Sequence, residues 1–265
     1  MSNIAKNHPR YLSLLLREKI SNAMKKGLTH ETGLIAHGRG EAFDYLIGEK
    51  TNRNAIKAME AAVAALILAE HPIISINGNI AALCSEDLAK ISKILNIPLE
   101  INLFYGKPGR IEAINKLLSE SGATDILGVD PNQNVTINEL TSNRRFVDSS
   151  GIKIADVVLV PLEDGDRTEA LLKENKFVIA IDLNPLSRTA QWANITIVDN
   201  VIRTIPMMIK IALKFKNQLK ENKITRKNLK TIVETFNNKK NLSKAIKTII
   251  NYLQSLTRKG VFIQI

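Results

Sequence analysis

Four short stretches of the chain hold side chains able to grip a phosphorylated or carboxylated ligand. The first follows the apolar run 178–181, where Asp182 and Asn184 suit ribose hydroxyls or a base edge and serve equally in an Asx-turn that ends a strand. Arg188, a few residues on, can hold phosphate through two parallel hydrogen bonds or make a surface ion pair. A second apolar run, 195–198, stops at Asp199 and Asn200, which are ligands or helix caps. The second stretch is His37-Gly38-Arg39-Gly40, read as a tight turn offering backbone N–H groups and a fixed cation to an oxyanion. His37 there is a general acid or base, or a hydrogen-bonding prop. The third is the acidic run Glu163, Asp164, Asp166, suited to magnesium carried by nucleotide phosphates or to a substrate ammonium group. Asp166 with Glu169 also forms a capping box for a following helix. The fourth, Asn77-Gly78-Asn79, offers amides and a close backbone approach to a small polar substrate or a phosphate.

The elements that must position these groups alternate as a doubly wound, mainly parallel sheet requires. Strands are expected at 73–76, 99–104, 125–129, 155–160, 178–181 and 195–198; 178–181 and 195–198 are short, apolar and β-branched, as in strands covered on both faces, and 155–160 is also apolar. Helices are expected at 11–24, from 51 or 52 to the His71-Pro72 step, from Ser85 to about 96, at 110–119, from Asp166 onward, and after Asn200. The stretch 130–150, polar and rich in Asn, reads as an irregular excursion over the site. Two further helices are expected around 226–237 and 242–256, so the chain reads as one α/β domain with helical additions at both ends. In open α/β sheets ligands sit outside the carboxyl ends of the strands, where three of the four stretches fall.

Composition narrows the classes. With 45% hydrophobic and 24% charged residues, the chain can bury a large core. No apolar run is long enough to span a bilayer and the first residues do not resemble a signal peptide, so a cytoplasmic location is expected. The lone cysteine, Cys84, forms no intramolecular disulfide and reads as buried filler, and four histidines without metal-ligand spacing give no zinc motif. The net charge of +11 is concentrated from residue 202 onward, where about fifteen Lys/Arg face two carboxylates, Glu221 and Glu234. Its aromatic residues, Phe215, Phe236, Tyr252 and Phe262, are scattered, so a lysine-rich solvated helical surface is favoured over a nucleic-acid site. Neither a Walker A loop nor G-x-G-x-x-G is present, which counts against a dehydrogenase.

The segments GLIAHGRGEAFDYLIGEKT at 33–51, ISINGN at 74–79, ADVVLVPLEDGDRTEAL at 155–171, and VIAIDLNPLSRTA with ITIVDN within 178–200, together with His8-Pro9-Arg10-Tyr11 and Arg17, resemble the archaeal 4-phosphopantoate–β-alanine ligase (phosphopantothenate synthetase) family. The resemblance covers about residues 8 to 215, and leaves the basic extension of about 221–265 without a motif. It implies a Rossmann-like core, a homodimer, and an amide-forming ligase of coenzyme A biosynthesis acting on ATP, 4-phosphopantoate and β-alanine. ATP enters as a substrate with Mg²⁺, and no tightly bound organic cofactor or resident metal is implied. Position by position, the implied nucleotide site falls on Arg17, Arg39, Asp182-Leu183-Asn184, Arg188-Thr189 and Asn200, with Asp199 beside it. Arg17, Arg39 and His37 are the expected catalytic groups, and Asn77, Gly78, Asn79, Glu163, Asp164 and Asp166 the expected substrate contacts. A non-catalytic nucleotide- or RNA-binding protein that uses the basic tail is the alternative.

Overall fold

In a computed structural model of the chain, the described residues are 4–8, 10–137, 140 and 142–259, with the backbone alone at 259. Pro9 and Phe262, singled out above, and three positions of the 130–150 excursion lie outside them. Six parallel strands form the sheet: β1 (Pro72–Ile76), β2 (Leu99–Ile101), β3 (Ile126–Leu127), β6 (Val157–Pro161), β7 (Phe177–Ile181) and β8 (Ile195–Ile197). Their spatial order is β3-β2-β1-β6-β7-β8, so the winding reverses between β1 and β6. That pair of strand ends is the switch point where such sheets bind ligands.

The strand sequences explain the burial. Alternate residues of β1, β6 and β7 face opposite sides, and both sides are apolar. Ile74, Leu159, Ile179 and Ile181 join the main core with the helices α3 (Arg53–Leu68), α4 (Gly78–Leu95) and α8 (Val201–Lys220). Ile73, Val158, Val160, Val178 and Ala180 enter a smaller core with Leu171 of α6 (Gly165–Lys173) and with Val147 and Ile152 of the excursion. The alanines of α3 at 55, 58, 61, 62, 64 and 65 are all buried, and their small side chains allow this helix to lie close against its neighbours. It stops at Leu68, before the predicted His71-Pro72 step.

Other expectations are corrected. The excursion is partly regular: β4 (Asn134–Thr136) and β5 (Phe146–Asp148) pair antiparallel. The segment 33–45 is not a turn but lies within α2 (Glu31–Leu46), which packs near α1 (Tyr11–Lys25). The glycines there serve packing: a Cβ at Gly33 would collide with the Asn79 side chain. Helix α4 begins at Gly78 rather than Ser85, with Asn77 as its cap; Cys84 has non-helical angles (φ −134°, ψ 22°), so the cap-like Ser85 follows a kink within one helix. Helix α6 is preceded by Asp164, not capped by Asp166. Arg188 opens α7 (Arg188–Trp192), capped by Ser187, rather than lying in a loop.

The basic C-terminal part forms α9 (Arg226–Glu234) and α10 (Asn238–Lys259), with α5 (Arg110–Glu120) completing the helices. Two asparagines dock α10 on the free edge of the sheet. Asn238 accepts from the Thr196 N–H (2.9 Å) and donates to the Ala190 and Ala193 carbonyls, while Asn241 donates to the Thr196 carbonyl. An open strand edge is thereby covered. Among the described residues no helix is long and apolar enough to cross a membrane.

Candidate active site

Asn77 forms the floor of the site. Its Oδ1 accepts from the Asn79 and Ile80 N–H groups (3.0 and 3.1 Å), which caps α4, and its Nδ2 donates to the Pro161 and Leu162 carbonyls, which ties the end of β1 to the end of β6. Asn79 Nδ2 donates to the Gly33 carbonyl (2.8 Å) and so binds α2 to α4. These amides build the switch point, and the backbone at Gly78 faces the space above it. That position must be glycine, since a Cβ would collide with the Leu28 carbonyl oxygen.

Above this floor lies a pocket of about 220 Å³ whose lining includes Arg39, Arg110, Arg144, His30, Gly78 and Asp164. Arg110 is 7% exposed and among the described residues has no carboxylate partner; Nη1 donates to the Tyr105 carbonyl (2.6 Å), Nη2 to the Leu28 carbonyl (3.1 Å), and the buried Nε meets no acceptor there. Burial lowers its pKa. Arg144, on the excursion, is also buried and ion-paired with Glu163; burial, then the neighbouring Arg167, pulls its pKa down to about 9. Buried cations at a helix N-terminus favour an anionic occupant, because each lacks the water that would otherwise solvate it. Neither Arg110 nor Arg144 was a sequence candidate. Arg110 looked like an ordinary helix start, and Arg144 lay in a stretch without periodicity.

A second cavity, about 90 Å³, adjoins the first across Ala36, Asn79 and Leu162. His37, Leu183 and Asn200 border it, with apolar walls from Leu12, Leu16, Val201 and Ile202. Burial lowers the His37 pKa, outweighing the opposite pull of Glu41, so the imidazole is neutral at pH 7 and able to accept a proton. Glu41 takes Arg17 Nε (2.8 Å) and the Tyr45 hydroxyl (2.5 Å); burial pushes its pKa up, but these bonds together hold it below the ordinary value.

A third pocket, about 330 Å³, shares Phe104, Arg144 and Asp164 with the first and is also bordered by Asp166 and Arg188. Most of the predicted residues thus gather at one end of the sheet, but several already have partners. Asp182, whose pKa is raised by burial, accepts from the Asn184 N–H and the Ser187 hydroxyl. Asn200 caps α8 and donates to Asp44, while Asp199 accepts from Thr51 (2.5 Å) and pairs with Arg203. Arg188 pairs with Asp166 (2.6 Å) and Glu169 (3.0 Å), and the Thr189 hydroxyl donates to the Glu163 carbonyl. Glu163 is enclosed by Arg144 and Arg167. Arg17, Asp182, Asn184, Thr189, Asp199 and Glu163 border none of the three pockets.

Among the described residues no group of three His, Cys, Asp or Glu side chains is placed to hold a metal. Among the described residues the carboxylates nearest the pockets are largely committed to arginines. An ion arriving on nucleotide phosphates would bring most of its own ligands.

A parallel sheet with a cation-lined pocket at its switch point defines an α/β protein whose candidate site suits an anionic ligand. The chain belongs to the phosphopantothenate/pantothenate synthetase family, whose model matches residues 54–252. It is 50% identical over 263 residues to the 4-phosphopantoate–β-alanine ligase of Thermococcus kodakarensis, covering 99% of this chain and 98% of that one. The enzymes of the same name from Thermococcus onnurineus and Methanosarcina mazei are 49% and 48% identical, over 99% and 97% of this chain and 98% of each relative.

Proposed function

We propose that the chain condenses 4-phosphopantoate with β-alanine to 4′-phosphopantothenate in coenzyme A biosynthesis, with ATP cleaved to AMP and pyrophosphate. Family membership fixes the class of reaction. The observation that carries the site assignment is the pocket where Arg39, Arg110 and Arg144 meet the N-terminus of α4, which suits the phosphate of the acid substrate. ATP is assigned to the adjoining cavity, its adenosine against Leu183, Asn200 and the apolar wall, and its α-phosphate toward the shared boundary near Asn79 and Arg39.

A carboxylate is a poor electrophile. In the first step a carboxylate oxygen of 4-phosphopantoate attacks the α-phosphorus, the bond to the bridging oxygen breaks, and pyrophosphate leaves. In the second the neutral amine of β-alanine attacks the acyl carbon, AMP leaves, and the amine gives up a proton. Catalysis then rests on positioning and on cations that stabilise developing charge, the work assigned to Arg39, with Arg17 at the nucleotide through its partner Glu41 on the cavity wall, and with Arg188, which borders the third pocket, reaching a nucleotide phosphate only on leaving Asp166. Of the groups that could take that proton, His37, Glu163, Asp164 and Asp166, Glu163 is enclosed by two arginines and Asp166 is held by Arg188 at 2.6 Å, which leaves His37 and Asp164, the latter in a longer 3.7 Å contact with Arg144. The proposed assembly is a homodimer in the cytoplasm, which light scattering and fractionation check.

The test mixes protein, ATP with Mg²⁺, 4-phosphopantoate and β-alanine and measures nucleotide products. AMP should form only when all components are present. ADP in stoichiometric yield overturns the adenylate route.

A further inference from the structure

The third pocket contains a group that the reading above leaves unused. Arg167, at the third position of α6, is 1% exposed and among the largest fully buried side chains of the protein. Its Nη1 donates to Asn102 Oδ1 and meets Glu163 Oε2 at 3.3 Å, whereas Nε and Nη2 are buried without partners. Among the described residues Glu163 is the one carboxylate in contact with it, and it is shared with Arg144. Glu100 acts on Arg167 at longer range, but its oxygens accept from the Asp148 and Ile152 N–H groups, and Asp164 stands at the exposed rim. Two buried guanidinium groups share Glu163, and Arg144 reaches only one further carboxylate among the described residues, the half-exposed Asp164 at 3.7 Å; with two buried N–H donors of Arg167 unpartnered at the start of a nine-residue helix, the pocket is left short of an anion.

We propose that this pocket binds the amino-acid substrate, with the β-alanine carboxylate on Arg167 and the α6 N-terminus, and its amine beside Asp164 on the wall shared with the phosphate pocket. The inference rests on the ligase reading and names the place of its second substrate. A carboxylate satisfies the open donors of Arg167, and two methylenes carry the amine from the interior to the boundary where the acyl group is assigned. Asp164 is then the acceptor nearest the amine.

The experiment separates the two half-reactions. Exchange of labelled pyrophosphate into ATP, dependent on 4-phosphopantoate, reports the first step without β-alanine, and the KM for β-alanine reports the second. Arg167→Lys should raise the KM for β-alanine at least about tenfold while exchange stays within about twofold, the pattern of a lost contact to one substrate. With n-propylamine, which lacks the carboxylate, the variant and the parent should react alike. Ser142→Leu, at the pocket rim where Ser142 makes no side-chain cap bond, should give the same split and decides the matter if Arg167→Lys does not fold. An unchanged KM in the folded variants overturns the proposal, as does a KM increase accompanied by equal loss of exchange. Absence of exchange in the parent protein overturns the adenylate route instead, and leaves the KM comparison in the full reaction to judge the pocket.

Discussion

Replacing Arg110 with methionine tests the phosphate pocket most directly. The substitution keeps the length and apolar stem of the side chain but removes a guanidinium, in a residue 7% exposed, that among the described residues is bonded only to the Tyr105 and Leu28 carbonyls and has a buried, unpartnered Nε. A charged hydrogen bond to a phosphate in such a site contributes about 2 to 3 kcal/mol, which is a fall of about 30- to 150-fold in kcat/KM. Two carbonyls also lose their donor, at about 1 kcal/mol or more each, so thermal unfolding is measured first and activity is read well below the transition. The discriminating comparison is with unphosphorylated pantoate. If Arg110 meets the phosphate, kcat/KM for 4-phosphopantoate falls by the stated factor, the already low value for pantoate hardly moves, and the variant loses most of its preference. An equal fall for both acids would refute the assignment and reduce Arg110 to a clamp on the 28 and 105 loops.

Three further outcomes follow from the packing and charges. Gly78→Ala should destabilise the protein by about 1 to 3 kcal/mol in urea unfolding, because its Cβ meets the rigid Leu28 carbonyl; an unchanged midpoint would show that this contact yields freely. Arg188→Ala removes an exposed ion pair and should change stability by less than about 1 kcal/mol, yet lower kcat/KM for ATP at least about 30-fold if the arginine leaves Asp166 for a phosphate; unaltered kinetics confine it to joining α6 and α7. Burial raises the Glu100 pKa from 4.5 to about 7, so the folded state binds this proton more tightly than the unfolded chain does. Stability from this group is therefore present below pH 4.5 and is lost as pH rises through about 7, by about 3 kcal/mol in all. The stability difference between the parent and Glu100→Gln should shift by that amount across this window, and a constant difference would deny the raised pKa.

Much of the frame was legible because its signals are local. β-Branched runs covered on both faces announced the parallel sheet, and the polar residues at their ends, Asn77, Asp182 and Asn200, marked the ligand edge. The His37-Gly38-Arg39-Gly40 segment was misread, since glycine signals a turn until tertiary packing shows another use: in α2, Gly33 admits Asn79, and Gly40 lies near Leu183. Ser85 misled for a related reason, being a sound cap residue placed after a kink rather than at a start.

By itself the sequence determined the family, the alternation of strands and helices, and the candidates Arg39, Asn77 and Asp164, because motif spacing and apolar periodicity survive without coordinates. The tertiary structure alone decided which charges are free. It committed Glu163, Arg17 and Arg188 to ion pairs and placed Arg110 and Arg144 beside the N-terminus of α4. It also buried Arg167 with donors unfilled. The physical reason is that the worth of a charge depends on its burial and its partners, and residues 28, 78, 110 and 144 become neighbours only when the chain winds outward from the boundary between β1 and β6.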